Sequence, residues 1–507
     1  MMIKGDNPEN IKNGSTLAVD DFSDVKFDYM LSNPPYGKSW SSDIKYIKDG
    51  KEIIDPRFIV RLKDYWGNEE EVDATPRSSD GQLLFLMDMV KKMKPLSANP
   101  IGSRIASVHN GSSLFTGDAG GGESNIRRYI IENDLLDCII QLPNNLFYNT
   151  GITTYIWLLS NNKPEHRRGK VQLIDANNLY AKLRKNLGDK NCELKSHHIS
   201  KIMEVYKRFE QTEEDVDGRK IASKIFDNSD FGYYKVNIER PKRLKAQFRD
   251  ELIEGLRFDK AIYEPMQWCF EKYGDECYTD ILKYKKEIEE YLEQIELKTK
   301  QKKALLSQTT WIKHKKLLDT ANLLKENIGT VEYDDFNIFK KEVEKVLKEK
   351  KIKLSATEKN TILNAVSWYD ESAKKVIKKI SKISGEKLEN LLDHLGCTEE
   401  QLANYGYHKT DKANEYIEYE AQTDLRDSEN IPLGNDIQDY FLREVKTHVA
   451  EAWINLDSVK IGYEISFNKY FYKHKPLRSI EEVTADILEL EKQSDGLIRE
   501  ILGLDDE

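Results

Sequence analysis

Apolar residues in the first third of the chain fall in short runs broken by turns, and further on they recur every three or four positions. Phe27 to Ser32 reads as a strand, as do Arg104 to His109, Leu135 to Leu142, Thr153 to Ser160 and Val171 to Ala176. Between them Gly81 to Lys94 reads as a helix, with Leu83, Leu86, Met87, Val90 and Met93 on one face and Pro95 as its stop. Ser124 to Asn133 reads as a second, shorter helix, preceded by the glycine-rich loop Gly117 to Gly122. Strands alternating with amphipathic helices predict an α/β sheet over residues 1 to about 175.

From about 177 the period changes to that of helix. Ile199 to Gln211 is amphipathic, and Gly232 to Asn237 reads as a short β segment. Ile281, Tyr284, Ile288, Tyr291 and Ile295 recur at heptad spacing, and residues 300–420 continue as polar helices with few glycines or prolines. At the end Ile480, Val483, Ile487, Leu490, Ser494, Leu497 and Ile501 form a seam of about three heptads, suited to a partner helix or to packing on the chain's own domain. The expected domains are 1–178 (α/β), 179–255 (a helical and β extension of it), 256–425 (helical) and 426–507, which carries the heptad helix.

Composition narrows the classes. A chain of 507 residues with 33% charged positions is expected to hold several domains. No run approaches a membrane span and no charged-then-apolar leader opens the chain, so the expected location is cytoplasmic. The cysteines Cys138, Cys192, Cys269, Cys277 and Cys397 are scattered without a CxxC, and His197-His198 has no ligand-like neighbour in sequence; reduced thiols and no metal are expected. A net charge of -10 disfavours broad, unaided binding to DNA. Basic clusters stand at His166 to Lys170, Lys182 to Lys190 and Pro241 to Lys245. That pattern suits a subunit that leaves sequence reading to a partner.

The chemistry concentrates in Asn33-Pro34-Pro35-Tyr36, at the end of the first strand. Pro34 and Pro35 fix φ and donate no N–H, so the turn is a rigid rim that cannot extend the sheet. The Asn33 amide and the Pro34 carbonyl can converge on one exocyclic amino group, while Tyr36 offers a ring for a base to stack on. Methylating adenine N6 requires this: polarise a poor nucleophile, hold the base out of the duplex, and aim it.

With these residues in view the chain resembles the modification (M) subunit of type I restriction-modification systems, within the N6-adenine DNA methyltransferases. Phe27 to Tyr36 with Trp40 is similar to the catalytic strand and loop, Asp80-Gly81-Gln82 to Leu86 to the next helix, and Gln141-Leu142-Pro143-Asn144 to Ile152 to a distinctive block. Asp175-Ala176, Pro432-Leu433, Ala452-Trp453-Ile454, Lys460 to Ile465 and Phe471-Tyr472 also match, with a weak middle between about 255 and 420. The resemblance implies a Rossmann-like methyltransferase sheet, partial and lacking its first strands, followed by a mainly helical C-terminal region. It implies Asn33, Pro34, Pro35 and Tyr36 as catalytic residues and S-adenosylmethionine as cofactor. Its implied partners are double-stranded DNA, a specificity subunit and a restriction subunit.

One departure stands out. Family members place a glycine-rich cofactor turn and a ribose-binding acid before the catalytic loop, and only 32 residues precede Asn33. Ile11 to Leu17 reads as the remnant of a preceding strand, with Ser15 and Asn33 as the cofactor contacts that remain. The expected chain is thus an N-terminally truncated M subunit, completed by a separate N-terminal fragment. Three alternatives stand beside it: a permuted order using Gly117 to Gly122, a non-catalytic scaffold that binds the specificity subunit, and a single-chain fused restriction-methylation enzyme.

Overall fold

The computed structural model describes residues 5, 7–472 and 479–502. The chain divides into two compact units, residues 1–232 with 462–507, and residues 233–461. In the first unit the five apolar runs form β1 (Tyr29–Ser32), β2 (Arg104–Asn110), β3 (Leu136–Gln141), β4 (Thr154–Ser160) and β5 (Lys170–Asp175). Two further strands, β6 (Thr212–Val216) and β7 (Arg219–Asp227), are too polar to stand out in the sequence. They form a hairpin because Asp217 and Gly218 both accept positive φ, at 54° and 73°, as a tight two-residue turn requires.

The seven strands make one mixed sheet in the order β1-β2-β4-β3-β5-β7-β6. β1, β2, β3 and β5 run in one direction, and β4 lies antiparallel between β2 and β3. Three helices pack on the sheet: α1 (Gln82–Lys91), α2 (Gly122–Glu132) and α3 (Ser196–Arg208). α1 buries the expected stripe of Leu83, Leu86, Met87 and Val90. α3 sets Ile202 and Val205 against Cys138, Ile140, Ile174 and Ile221.

Ile11 to Leu17 is not a strand. The Ser15 carbonyl accepts the N–H groups of Ala18 and Val19 in a turn, and the Arg57 guanidinium holds the carbonyls of Thr16 and Leu17 at 2.8 and 3.0 Å. Arg57 is itself anchored by Asp55 and by Asp88 of α1, so this segment is pinned toward α1 by hydrogen bonds that no local pattern reveals.

In the second unit, helices Tyr263–Tyr273, Gln308–Ile328, Phe336–Glu349 and Ala356–Ala365 enclose two apolar clusters, one around Phe258, Met266 and Trp311 and one around Phe248, Leu317, Phe339 and Leu363. The heptad-like positions Ile281, Tyr284, Ile288, Tyr291 and Ile295 all turn into the first cluster, so that spacing is packing within the unit. The run of polar helices ends earlier than expected. Strands Ile377–Lys382, His408–Lys409 and Glu415–Tyr419 form a small sheet, and Asp427–Pro432 pairs with Gly232–Glu239. The Ile377–Lys382 and Asp427–Pro432 ladders join residues far apart in sequence, and that pairing overrides a helix-like composition.

The C-terminal helix, Ile480–Leu502, forms as expected, with Ile480, Val483, Ile487 and Leu490 exposed. The side chains of Ser494, Leu497 and Ile501 lie outside the described residues. No helix among the described residues is long and apolar enough to cross a membrane.

Candidate active site

Because β1, β2, β3 and β5 are parallel, the residues that follow them collect along one edge of the sheet: Asn33 after β1, Gly111 and Ser112 after β2, Pro143 after β3 and Ala176 after β5. Edges of this kind are where open α/β sheets place functional groups. Pro34 is buried and anchors the Asn33–Tyr36 rim, while Asn33 and Pro35 are exposed and Tyr36 is half-buried. Burial pushes the Tyr36 hydroxyl above its ordinary value, so it stays protonated at neutral pH. The four motif residues thus stand together at the sheet edge, with Asn33 turned to solvent.

What fixes the rim is a polar network the sequence did not announce. Gly37, at φ 69°, donates its N–H to Asp80 Oδ1 at 3.1 Å. Asp80 Oδ1 also accepts the Gln82 N–H, and Oδ2 accepts Gln82 Nε2 at 2.6 Å and Ser112 Oγ at 3.0 Å. Gln82 Nε2 reaches Asn110 Oδ1 at 2.7 Å, and Gln82 Oε1 accepts the Asn110 N–H at 3.1 Å. His109 Nδ1 lies 3.2 Å from the same oxygen. His109 is fully buried and its pKa is pushed down to about 3, so the ring is neutral and donates from Nδ1 to an oxygen that can only accept.

Trp40 closes the loop. Its backbone N–H meets the Ser78 carbonyl and its ring N–H the Arg77 carbonyl, both at 3.0 Å. A Cβ on Gly81 would stand 3.2 Å from the Trp40 ring, a closeness that only glycine accommodates without displacement. Trp40 and Asp80-Gly81-Gln82 therefore tie the rim to α1 and to the end of β2.

The Pro143–Gly151 loop holds a second element at this edge. The hairpin Ala181–Leu187 with Lys190–Glu193 is fastened to it: Asn145 Nδ2 bonds the Asp189 carbonyl at 2.9 Å and Lys190 Nζ bonds the Leu146 carbonyl at 2.7 Å. Asn145 and Asn149 take left-handed φ values of 56° and 55°, a conformation Asn tolerates. The hairpin exposes Lys182, Arg184 and Lys185, and Tyr148 is exposed under Lys190. In the other basic clusters the cations Arg167, Arg243 and Lys245 are paired within the chain. Arg167 is buried against Asp137 at 2.6 Å, Arg243 pairs with Glu451, and Lys245 lies among Glu332, Asp334 and Asp370.

The glycine-rich loop is not a cradle. A Cβ on Gly122 would fall 1.8 Å from the Thr75 carbonyl oxygen, one on Gly117 would meet the Glu123 side chain at 2.8 Å, and the Glu123 carboxylate accepts the Arg77 N–H at 2.9 Å. Protein backbone fills the space that glycines leave open in a nucleotide-binding turn. Ser15 lies in the segment that Arg57 holds toward α1. The packing of Thr75 and Glu123 against these glycines speaks against the permuted order that would use Gly117 to Gly122.

All five cysteines are free thiols. The hairpin turn brings Asp217 to the His197-His198 pair, with His197 Nε2 3.0 Å from its carboxylate; His198 Nδ1 accepts the Lys195 N–H at 3.2 Å and caps α3. The local sequence could not reveal this neighbour, because it arrives from the β6–β7 turn.

Residues 1–244 match the model of the N-6 DNA Methylase family. The chain is 31% identical over 197 residues to the type I restriction enzyme MjaIX methylase subunit of Methanocaldococcus jannaschii, covering 39% of this chain and 30% of that one. The MjaVII methylase subunit of the same organism is 36% identical over 192 residues, with coverages of 37% and 28%. The aligned part thus spans less than a third of these relatives. Among solved structures, a type I restriction-modification system methyltransferase subunit from Streptococcus thermophilus aligns at 26% identity and a TM-score of 0.33, covering 46% of this chain and 42% of that one.

Proposed function

We propose that this chain is a subunit of an S-adenosylmethionine-dependent adenine-N6 DNA methyltransferase of a type I restriction-modification system, acting on double-stranded DNA with a specificity and a restriction subunit. The observation that carries this reading is the Asn33–Tyr36 rim: Asn33 exposed at the end of a parallel strand, on a backbone fixed by Pro34 and the Asp80 network. Asn33 Oδ1 and the Pro34 carbonyl accept the two N–H groups of a flipped adenine, and the Tyr36 ring stacks on the base. Accepting both protons keeps the nitrogen lone pair from delocalising into the ring and fixes its direction, which is positioning and electrostatics without a general base. The exposed Lys182, Arg184 and Lys185 serve the DNA backbone.

The test is Asn33→Ala in the full chain co-expressed with its partner subunits, with transfer of tritiated methyl groups to plasmid DNA as readout. Methylation should fall by about 100-fold or more while DNA affinity stays within about twofold. Unchanged methylation would remove Asn33 from the site. A second reading, a scaffold that has lost methyl transfer, is favoured by the filled Gly117–Gly122 loop. It predicts no methylation from any complex that contains the unaltered chain.

A further inference from the structure

We propose that a cavity inside the second unit is a nucleotide site, taking a base with an exocyclic amino group together with its phosphate; this holds whether or not Asn33 holds adenine. The cavity, of about 590 Å³, is walled by residues of the strands Gly232–Glu239, Glu415–Tyr419 and Trp453–Tyr463 and of the helix Glu386–Leu395. Its polar groups are left unanswered in both senses. Trp453 is 8% exposed, yet its indole N–H donates to nothing among the described residues. Gly406 keeps that N–H uncovered: it takes φ 87°, and a Cβ there would stand 3.0 Å from Nε1. A buried donor without a partner costs free energy, so an acceptor belongs beside it. Glu418 and Asp457 have the opposite need. Burial pushes the Tyr407 hydroxyl above its ordinary value and both carboxylates add to it, so the two converge on one place. Asp457 has no hydrogen bond or ion pair among the described residues, and Glu418 meets Lys379 only at 3.9 Å. Lys378 lines the same cavity and is also unpaired among the described residues, whereas Arg426 is neutralised by buried Glu239 at 2.8 Å.

One class of small ligand answers all of these groups. A simple cation suits Glu418 and Asp457, but it leaves the Trp453 N–H without an acceptor and is repelled by Lys378. A bare phosphate suits Lys378 and is repelled by the two carboxylates. A neutral sugar leaves the Lys378 charge unmatched. A nucleotide complements each: its amino group donates to a carboxylate, a ring nitrogen or carbonyl accepts from Trp453, and its phosphate pairs with Lys378. Its flat ring lies against the aromatic side chains of Tyr407, Tyr419 and Trp453, which line the same space. Tyr419 and Trp453 are braced by His408, whose ring lies 5.0 and 6.3 Å from theirs, so this wall is formed in advance. Thymine has no amino group and would set carbonyl oxygens against the carboxylates, so the site rejects it. A free nucleotide and a nucleotide within a single strand present this same chemistry.

The full chain is titrated calorimetrically with the monophosphates of adenosine, guanosine, cytidine and thymidine, with the matching nucleosides, with N-acetylarginine amide and with a short mixed-sequence single-stranded oligodeoxynucleotide. An amino-bearing monophosphate should bind saturably below about 1 mM and at least about tenfold tighter than thymidine monophosphate. Trp453→Phe keeps the ring and loses the N–H, and should weaken binding about 5–10-fold. Lys378→Ala should abolish the advantage of the monophosphate over its nucleoside. Lys378 is exposed, so this variant tests the site even where Trp453→Phe lowers the melting temperature. Binding of free monophosphates upholds a small-molecule site. Binding of the oligonucleotide alone, weakened by both substitutions, upholds a strand-held nucleotide. Equal affinity for thymidine monophosphate overturns the proposal, as does tighter binding of N-acetylarginine amide or no saturable binding in any titration. Nucleotide binding that both variants leave unchanged also overturns it, since binding at the Asn33 rim would behave in that way.

Discussion

Asp80 is a buried carboxylate whose two oxygens accept from Gly37 and Gln82 backbone N–H groups, Gln82 Nε2 and Ser112 Oγ. Removing it strands the donors of buried Gln82, which costs more than the lost bonds themselves. Asp80→Ala should therefore destabilise the first unit by about 2–4 kcal/mol in urea unfolding, and the Gly37 amide should lose its exchange protection. A Gly37 amide equally protected in the variant would show that the rim stands without Asp80. At this scale the sequence was half legible. Asn33-Pro34-Pro35-Tyr36 could be read because its rigidity is local, fixed by two prolines. Asp80 and Gln82 could be read only as a helix start, because their partners at residues 37 and 109–112 are set by the sheet.

Among elements, two carry predictions of opposite kind. The hairpin of Ala181–Leu187 and Lys190–Glu193 leaves Lys182, Arg184 and Lys185 without a buried role. Changing all three to Ala should lower the salt dependence of DNA binding, cutting the log–log slope by about 2–3 while leaving the melting temperature unchanged. An unchanged slope would remove the hairpin from the DNA path. The C-terminal helix exposes Ile487 at 58% and Leu490 at 63%. Replacing both with Asp should abolish co-purification with the specificity subunit without altering the chain's own unfolding; retained co-purification would free this helix from assembly. Three basic clusters looked alike in sequence. Only the fold separates them, since Asp137, Glu451 and Glu332 reach two of them from distant segments.

For the molecule as a whole, stability should depend on pH through buried histidine. His109 falls from an ordinary 6.5 to about 3 because burial disfavours its charged form, and His408 falls to about 4 for the same reason, with Lys375 and Lys446 adding to it. The unfolded chain takes up protons below about 6.5 that the folded chain refuses, so stability is full above that value and declines as pH falls toward the folded values. For His109 alone the loss should be about 2 kcal/mol by about pH 5, seen in urea midpoints, and His109→Gln should flatten that part of the slope. A midpoint independent of pH between about 7 and 5 would mean the ring is not held neutral.

The sequence by itself determined the apolar strands, the helices between them, the rigid Asn33–Tyr36 turn and the helical character of much of the later chain. Each depends on spacing within a few residues, where side-chain periodicity and proline act directly. Tertiary structure alone decided that Gly117–Gly122 is packed shut, that Ile11–Leu17 is a turn held toward α1, that the polar β6–β7 hairpin joins the sheet, and that β1 stands at one end of it among the described residues. These outcomes depend on which distant backbone arrives at a given point. A glycine, a charge or an apolar strand carries no mark of its eventual neighbour until the sheet has placed them together.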